Sequence, residues 1–257
     1  MLRLDYGLIV LVAGFVLVVP VGEPSTGLLS LLARWLHPSS FAAYEAALRE
    51  AAIKRPTYMV KLATIAPDAA SVDVTSFGPP SQPDSVNRKY VMWVSLRSEL
   101  QAACAGKPDP VLALQQILGL PPGAAPDRVV TEITVQRKDL FRPCAGASDL
   151  ATPSCSFDLA SAPDPSQGQV GPPADFNLPL FVANQMWNVY RAGFPRPLTS
   201  PSDYPFTGVP FTGMGWSYNW APSSATHIGV SEFVVPGTAE IKFLRATTPA
   251  AFCAKAE

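Results

Sequence analysis

The spacing of apolar positions changes along this chain, from an unbroken run, to a helical period, to strict alternation. The unbroken run comes first. Residues 7–21 read GLIVLVAGFVLVVPV, and no charge falls between Asp5 and Glu23. A membrane-spanning helix needs about 20 mostly apolar residues, and the stretch from Leu4 to Gly22 approaches that length. It predicts an N-terminal transmembrane helix that is kept as an anchor, within residues 1–27. The competing reading is a cleaved signal peptide. Its apolar core would be the shorter stretch 8–19, with small residues at Ser25, Thr26 and Gly27, although no Ala-x-Ala follows. A buried soluble helix fits poorly, because Pro20 would end it and Val, Gly and Phe are weak helix formers in water. Arg3 and the N-terminal amine against Asp5 leave a slight positive-inside bias. It places the N-terminus in the cytoplasm and the rest of the chain outside.

Helical spacing follows. Residues 28–36, LLSLLARWL, suit a helix at the membrane interface, where Trp35 is at home, or equally a core helix. Residues 40–54 predict a helix capped by Ser39 or Ser40, with Phe41, Tyr44, Leu48 and Ala51 on one face. Glu45 with Arg49 and Glu50 with Lys54 are i,i+4 pairs on the other face, and Pro56 ends the helix.

Alternation then takes over. Residues 57–63, 71–77 and 89–96 predict strands. In the last of these Tyr90, Met92, Val94 and Leu96 share one face while Val91 and Trp93 share the other, the mark of a strand covered on both sides. Residues 78–87 hold three prolines and read as a loop. Residues 97–105 predict a helix carrying Cys104. A second helix begins at Pro110 with Asp109 as its cap, and its stripe is Val111, Leu114, Ile117 and Leu118. Gly119 and Pro121-Pro122 end it. Residues 129–137 alternate again, with Val129, Thr131, Ile133 and Val135 on one side. Residues 180–192 look helical, and strands at 228–235 and 239–246 meet at Pro236-Gly237, which reads as a hairpin turn. The fold class expected is α+β: residues 28–257 form a single exported domain with an antiparallel or mixed sheet and a few helices. A Pro/Ser/Gly-rich excursion interrupts it at 145–179.

Composition sharpens this picture at three points. Proline makes up 28 of 257 residues, about twice the usual share of about 5%, so long irregular segments accompany the packed core. Lys and Arg total 19 against 20 Asp and Glu, with no basic block, which argues against nucleic acid as a partner. The four cysteines, Cys104, Cys144, Cys155 and Cys253, all follow the apolar run. An even set in an exported domain reads as disulfides, and the favoured pairing is Cys144–Cys155 with Cys104–Cys253. No Cys-x-x-Cys occurs, so a thioredoxin-like pair or a zinc ribbon finds no support.

Catalytic chemistry is sparse. The two histidines are His37 and His227. Neither a Gly-x-Ser-x-Gly elbow nor a His-Glu-x-x-His pair occurs, and there is no Gly-rich phosphate loop. His227 with Glu232 is too small a set to hold a metal. A glycosidase needs only two carboxylates, which can lie far apart in sequence, and the sequence is compatible with that. No catalytic residue, metal site or cofactor is assigned. The most distinctive stretch is the aromatic run 204–220, with Phe206, Phe211, Trp216, Tyr218 and Trp220 among glycines and prolines. Three readings compete for it: a packed core loop, a surface for another membrane or envelope protein, or a platform for stacking sugars. The resulting expectation is a non-catalytic accessory or structural subunit of an envelope assembly. It would be single-pass in the inner (cytoplasmic) membrane, with its domain on the periplasmic side. The alternative is a small exported glycan-binding module or hydrolase that uses the aromatic run.

Overall fold

The computed structural model of the 257-residue chain describes residues 8–12, 15–19, 38–51, 62–80, 91–123, 127–144, 150–151, 155, 179–193 and 209–254. The N-terminal run departs from the expected transmembrane helix. Strands β1 (Leu8–Val12) and β2 (Phe15–Val19) pair antiparallel as a hairpin, Val12 opposite Phe15 and Leu8 opposite Val19. The physical reason is composition: these strands are dense in Val and Ile, whose branched Cβ favours extended backbone. Among the described residues no helix is long and apolar enough to cross a membrane. The helix expected at 28–36, interfacial or core, lies outside the described residues.

Helix α1 (Pro38–Glu50) starts two residues before the predicted 40 because proline suits the first helical turn. Phe41, Tyr44, Ala47 and Ala51 are buried and Leu48 is half-buried, so the predicted face is the packed one. Most of the strand expected at 57–63 lies outside the described residues. Residues 62–66 run without regular pairing, and Leu62 and Ile65 are buried there.

The body is a six-stranded, wholly antiparallel sheet: β3 (Ser71–Gly78), β4 (Met92–Leu96), β5 (Val129–Gln136), β6 (Trp216–Tyr218), β7 (Ile228–Val235) and β8 (Ile241–Thr247), in the order β6-β7-β4-β3-β5-β8. The strand read as covered on both sides, β4, is indeed central. The hairpin expected at Pro236-Gly237 does not form. β7 already has β6 and β4 on its two edges, so the chain crosses the sheet end and β8 pairs with β5 at the far edge. Ala239 N–H still donates to Pro236 O across the turn, at 3.1 Å. The local turn signal was sound, but it does not specify which strands pair.

Both faces of the sheet are packed. On one, Val74, Val94, Ile133, Val135, Phe233, Val235 and Ile241 form a continuous core under loop residues Ile65, Leu140 and Leu150. On the other, Phe77, Val130 and Val230 meet three helices: α2 (Arg97–Cys104), α3 (Pro110–Ile117) and α5 (Pro249–Phe252). Val130 and Ile133 therefore serve opposite faces, and a register shift between Glu132 and Ile133 bends the β5–β8 pairing. Asp109 caps α3 as predicted, its Oδ1 accepting from Leu112 N–H at 3.0 Å. Helix α4 (Leu180–Gly193) buries Val182, Met186 and Trp187. Two disulfides form, in the favoured pairing. Cys104–Cys253 ties α2 to α5, and Cys144–Cys155 closes a loop of sequence separation 11. This is the pattern of a domain that folds in an oxidising, extracytoplasmic compartment.

Candidate functional site

The sequence directs attention to the aromatic run. Phe206 lies outside the described residues. The other four rings are interior: Phe211 is 6% exposed, Trp216 and Tyr218 2%, and Trp220 1%. Each is held from several sides. Trp220 meets Tyr44 of α1 edge-on at 5.8 Å, and its Nε1–H donates to Gln115 O and Leu120 O at 3.2 and 2.9 Å. Tyr218 donates its hydroxyl to Glu50 Oε2 at 3.1 Å. Phe211 packs edge-on against Trp93 at 6.0 Å. Rings this buried show no open face on which a sugar could stack, and their contacts favour the packed-loop reading. Lys54, the i,i+4 partner expected for Glu50, lies outside the described residues; Glu50 accepts the Tyr218 hydroxyl.

Interior charge is what sequence spacing missed. A row of polar side chains crosses the sheet in register: Glu232 opposite Ser95, Ser95 opposite Thr75, Thr75 opposite Glu132, Glu132 opposite Arg245. Glu132 is 1% exposed. Arg245 Nε lies 2.6 Å from its Oε1, and Arg97 Nε, from the first residue of α2, lies 2.6 Å from Oε2. That pairing holds the Arg245 guanidinium above the usual arginine range. At the other end of the row, desolvation pushes the Glu232 carboxyl up to about 8. Alternation places Glu132 on the face opposite Ile133 and says nothing of its burial; α2 lies over that face and makes it interior.

Arg142, within the DLFRPC stretch, is the second buried charge at 1% exposure. Its guanidinium lies over the Phe233 ring at 4.6 Å and donates to Ala63 O at 2.7 Å and Gly215 O at 3.5 Å. Burial lowers it to about 10, while the Glu99 carboxylate pulls the other way. Glu99 Oε1 in turn accepts from Ser231 N–H at 3.0 Å, a ladder group freed where β4 turns off into α2. Gly215, at φ +75°, makes room: a Cβ there would stand 2.8 Å from Arg142 Cγ and Cδ.

His227 does not join Glu232. It takes a left-handed conformation, φ +54°, stacked on Tyr218 at 5.3 Å. Its Nδ1–H donates to Asn219 O at 2.9 Å, since a carbonyl can only accept. Among the described residues no group of three or more His, Cys, Asp or Glu is placed to hold a metal. His37 lies outside them.

A surface groove of about 380 Å³ opens between α3, with the α2–α3 turn before it, and the loop that joins β6 to β7. Its lining includes the aliphatic side chains of Leu112, Ile117 and Ile228. Its polar lining includes Lys107, Asp109, Gln116, Asn219 and Ser223. No family model matches the chain, and neither a curated protein nor a solved structure matches it.

Proposed function

We propose that this chain is a non-catalytic, membrane-held accessory or structural subunit of an envelope assembly, its disulfide-braced domain lying on the extracytoplasmic side. The observation that carries the reading is where the interior charges go. Glu132 joins α2 to the β8 edge, Arg142 fastens the 62–66 segment to the β6 border, and Glu99 closes the open end of the β4 ladder. Those groups are committed to rigidity, which suits a scaffold that other proteins dock against. The apolar N-terminal run supplies the attachment. None of the ten strand residues in Leu8–Val12 and Phe15–Val19 is polar, and a lone two-stranded hairpin is marginal in water. In hydrocarbon its outer N–H and C=O groups would lack partners, so insertion entails closing those hydrogen bonds as helix or with strands of a partner.

The test is a mild-detergent pull-down of the native protein from membranes, preceded by a carbonate wash. The full-length protein should stay with the membrane and bring a reproducible set of envelope proteins. A mature N-terminus mapped to Leu28 would remove the anchor, and recovery of the chain alone would remove the accessory role.

A further inference from the structure

We propose that the Cys144–Cys155 disulfide is a redox-operated catch. A dithiol reductant opens it selectively, freeing the segment at Cys155 from the β6 border while the rest of the domain stays folded. This goes beyond the accessory-subunit reading and does not depend on it.

The two disulfides differ in what a thiolate can reach. Exchange begins when a thiolate attacks one sulfur of the bond, so access decides which bond opens. Cys104 and Cys253 are both buried, in the cluster that packs the helices on the sheet. Gln101 Nε2–H donates to Phe252 O and Gly106 N–H to Cys253 O, each at 3.1 Å, and so brace that bond from both sides. Reaching either sulfur there means parting α2 from α5. Cys144 is buried as well, but Cys155 is half-buried, at the margin of the cluster that holds Met214 and Trp216. Of the four cysteines it is the one that solvent touches most.

The exchange runs in two steps. A thiolate of the reductant attacks Cys155 Sγ; the Cys144–Cys155 bond breaks, and Cys144 leaves as a thiolate that takes up a proton. The second thiol of the reductant then displaces Cys155 and closes the reductant's own disulfide. Two electrons and two protons pass from the dithiol to the protein.

The reduced form has a place to go. Cys155 Sγ lies 3.0 Å from Met214 O. A disulfide sulfur carries no proton, so that contact is not a hydrogen bond while the bond is closed. A thiol has one to donate, and the carbonyl already faces it. Such a bond is weak, and it replaces a covalent tie with one that exchanges.

Leu150 limits what is released. It is buried under the sheet, and its carbonyl accepts from Ile65 N–H at 2.9 Å. Cys155 follows it by five positions, so the freed thiol stays within about 17 Å of that anchor. Cys144 stays on its bridge to Met214. Short tethers keep the two thiols near each other, which favours closing the bond again.

The test uses the full-length protein in mild detergent. It is treated with dithiothreitol under native conditions, quenched in acid, denatured, alkylated and mapped by mass spectrometry. Cys144 and Cys155 should become labelled at least about tenfold faster than Cys104 and Cys253. With glutathione in place of the dithiol, the mixed disulfide should form on Cys155. Opening of both bonds at one rate, opening of Cys104–Cys253 first, or glutathione on Cys144 would overturn the proposal. The consequence is read on Met214, which Cys155 packs against. The paired variant Cys144→Ser with Cys155→Ser should melt cooperatively a few degrees lower. Dilute peroxide should oxidise its Met214 several-fold faster than in the parent, with the fully buried Met186 unchanged. The wild type, reduced at Cys144–Cys155 and freed of reductant, should behave the same way, and glutathione disulfide should restore the parent rate. Unchanged Met214 oxidation, loss of cooperative melting in the selectively reduced wild type, or failure to reclose would each show a static cross-link instead of a switch.

Discussion

Arg142 shows how one buried side chain fixes a backbone choice elsewhere. A guanidinium at 1% exposure must find acceptors, and it finds Ala63 O, Gly215 O and the face of Phe233. Its stem then occupies the space beside Gly215, where a Cβ would stand 2.8 Å from it at φ +75°. Gly215→Ala should therefore destabilise the domain by about 2 kcal/mol or more. Arg142→Ala should cost about 3 kcal/mol by stranding the two carbonyls and opening a cavity. The double variant should cost less than the sum, because removing the arginine stem relieves the clash. Denaturant melts of the three proteins decide this, and strict additivity would contradict the contact. Glu132→Gln leaves two guanidinium groups facing a neutral amide. Because Arg97 and Arg245 keep 35% and 55% of their side-chain surface in water, the expected loss is about 1–3 kcal/mol, below that of a fully buried pair.

At the scale of elements, the aromatic run and the cap of α3 make contrasting cases. Trp216 is 2% exposed on β6, in the cluster that joins Tyr44, Tyr218 and Trp220. Trp216→Ala should lower stability by about 3–5 kcal/mol, measurable as a fall in melting temperature. A variant as stable as the parent but unable to hold its partners would mean that the ring serves a surface. Asp109→Ala removes one exposed cap hydrogen bond and should cost only about 1 kcal/mol. The helix start at Asp109-Pro110 was legible because capping is decided within four residues. The place of β8 was not legible, since pairing depends on which edges remain open once β4, β6 and β7 have assembled.

For the molecule as a whole, the polar row across the sheet makes stability depend on pH. Glu232, pushed up to about 8 by desolvation, folds more readily as the neutral acid. A carboxyl whose folded pKa is raised contributes stability that is fully present below its unfolded value of 4.5 and is lost as pH rises through about 8. Stability should thus decline across that window, by about 1–3 kcal/mol given that Glu232 keeps part of its surface open. Glu232→Gln, neutral at every pH, should flatten the decline and be the more stable protein at pH 8. Chemical denaturation at a series of pH values reads this directly, and parallel curves for the two proteins would show that Glu232 is not the group responsible.

What this sequence determined by itself is what short-range physics decides. The α1 stripe, the two faces of β4, the α3 cap and the even cysteine set all follow from spacing, proline geometry and the compartment in which thiols oxidise. The α+β class follows from the succession of periods. The hairpin of the apolar run is local too: its length and lack of charge also describe a helix, and its Val-rich composition favours extended backbone. Tertiary structure alone decided the rest. β8 lies at the edge opposite β6 because β7 had no free side. Glu132 and Arg142 look like ordinary polar positions in sequence, and their burial depends on helices and loops distant in the chain. The groove joins residues near 107–117 to residues near 219–229. Local periodicity carries no information about such separations; only the packing of the sheet against its helices brings them together.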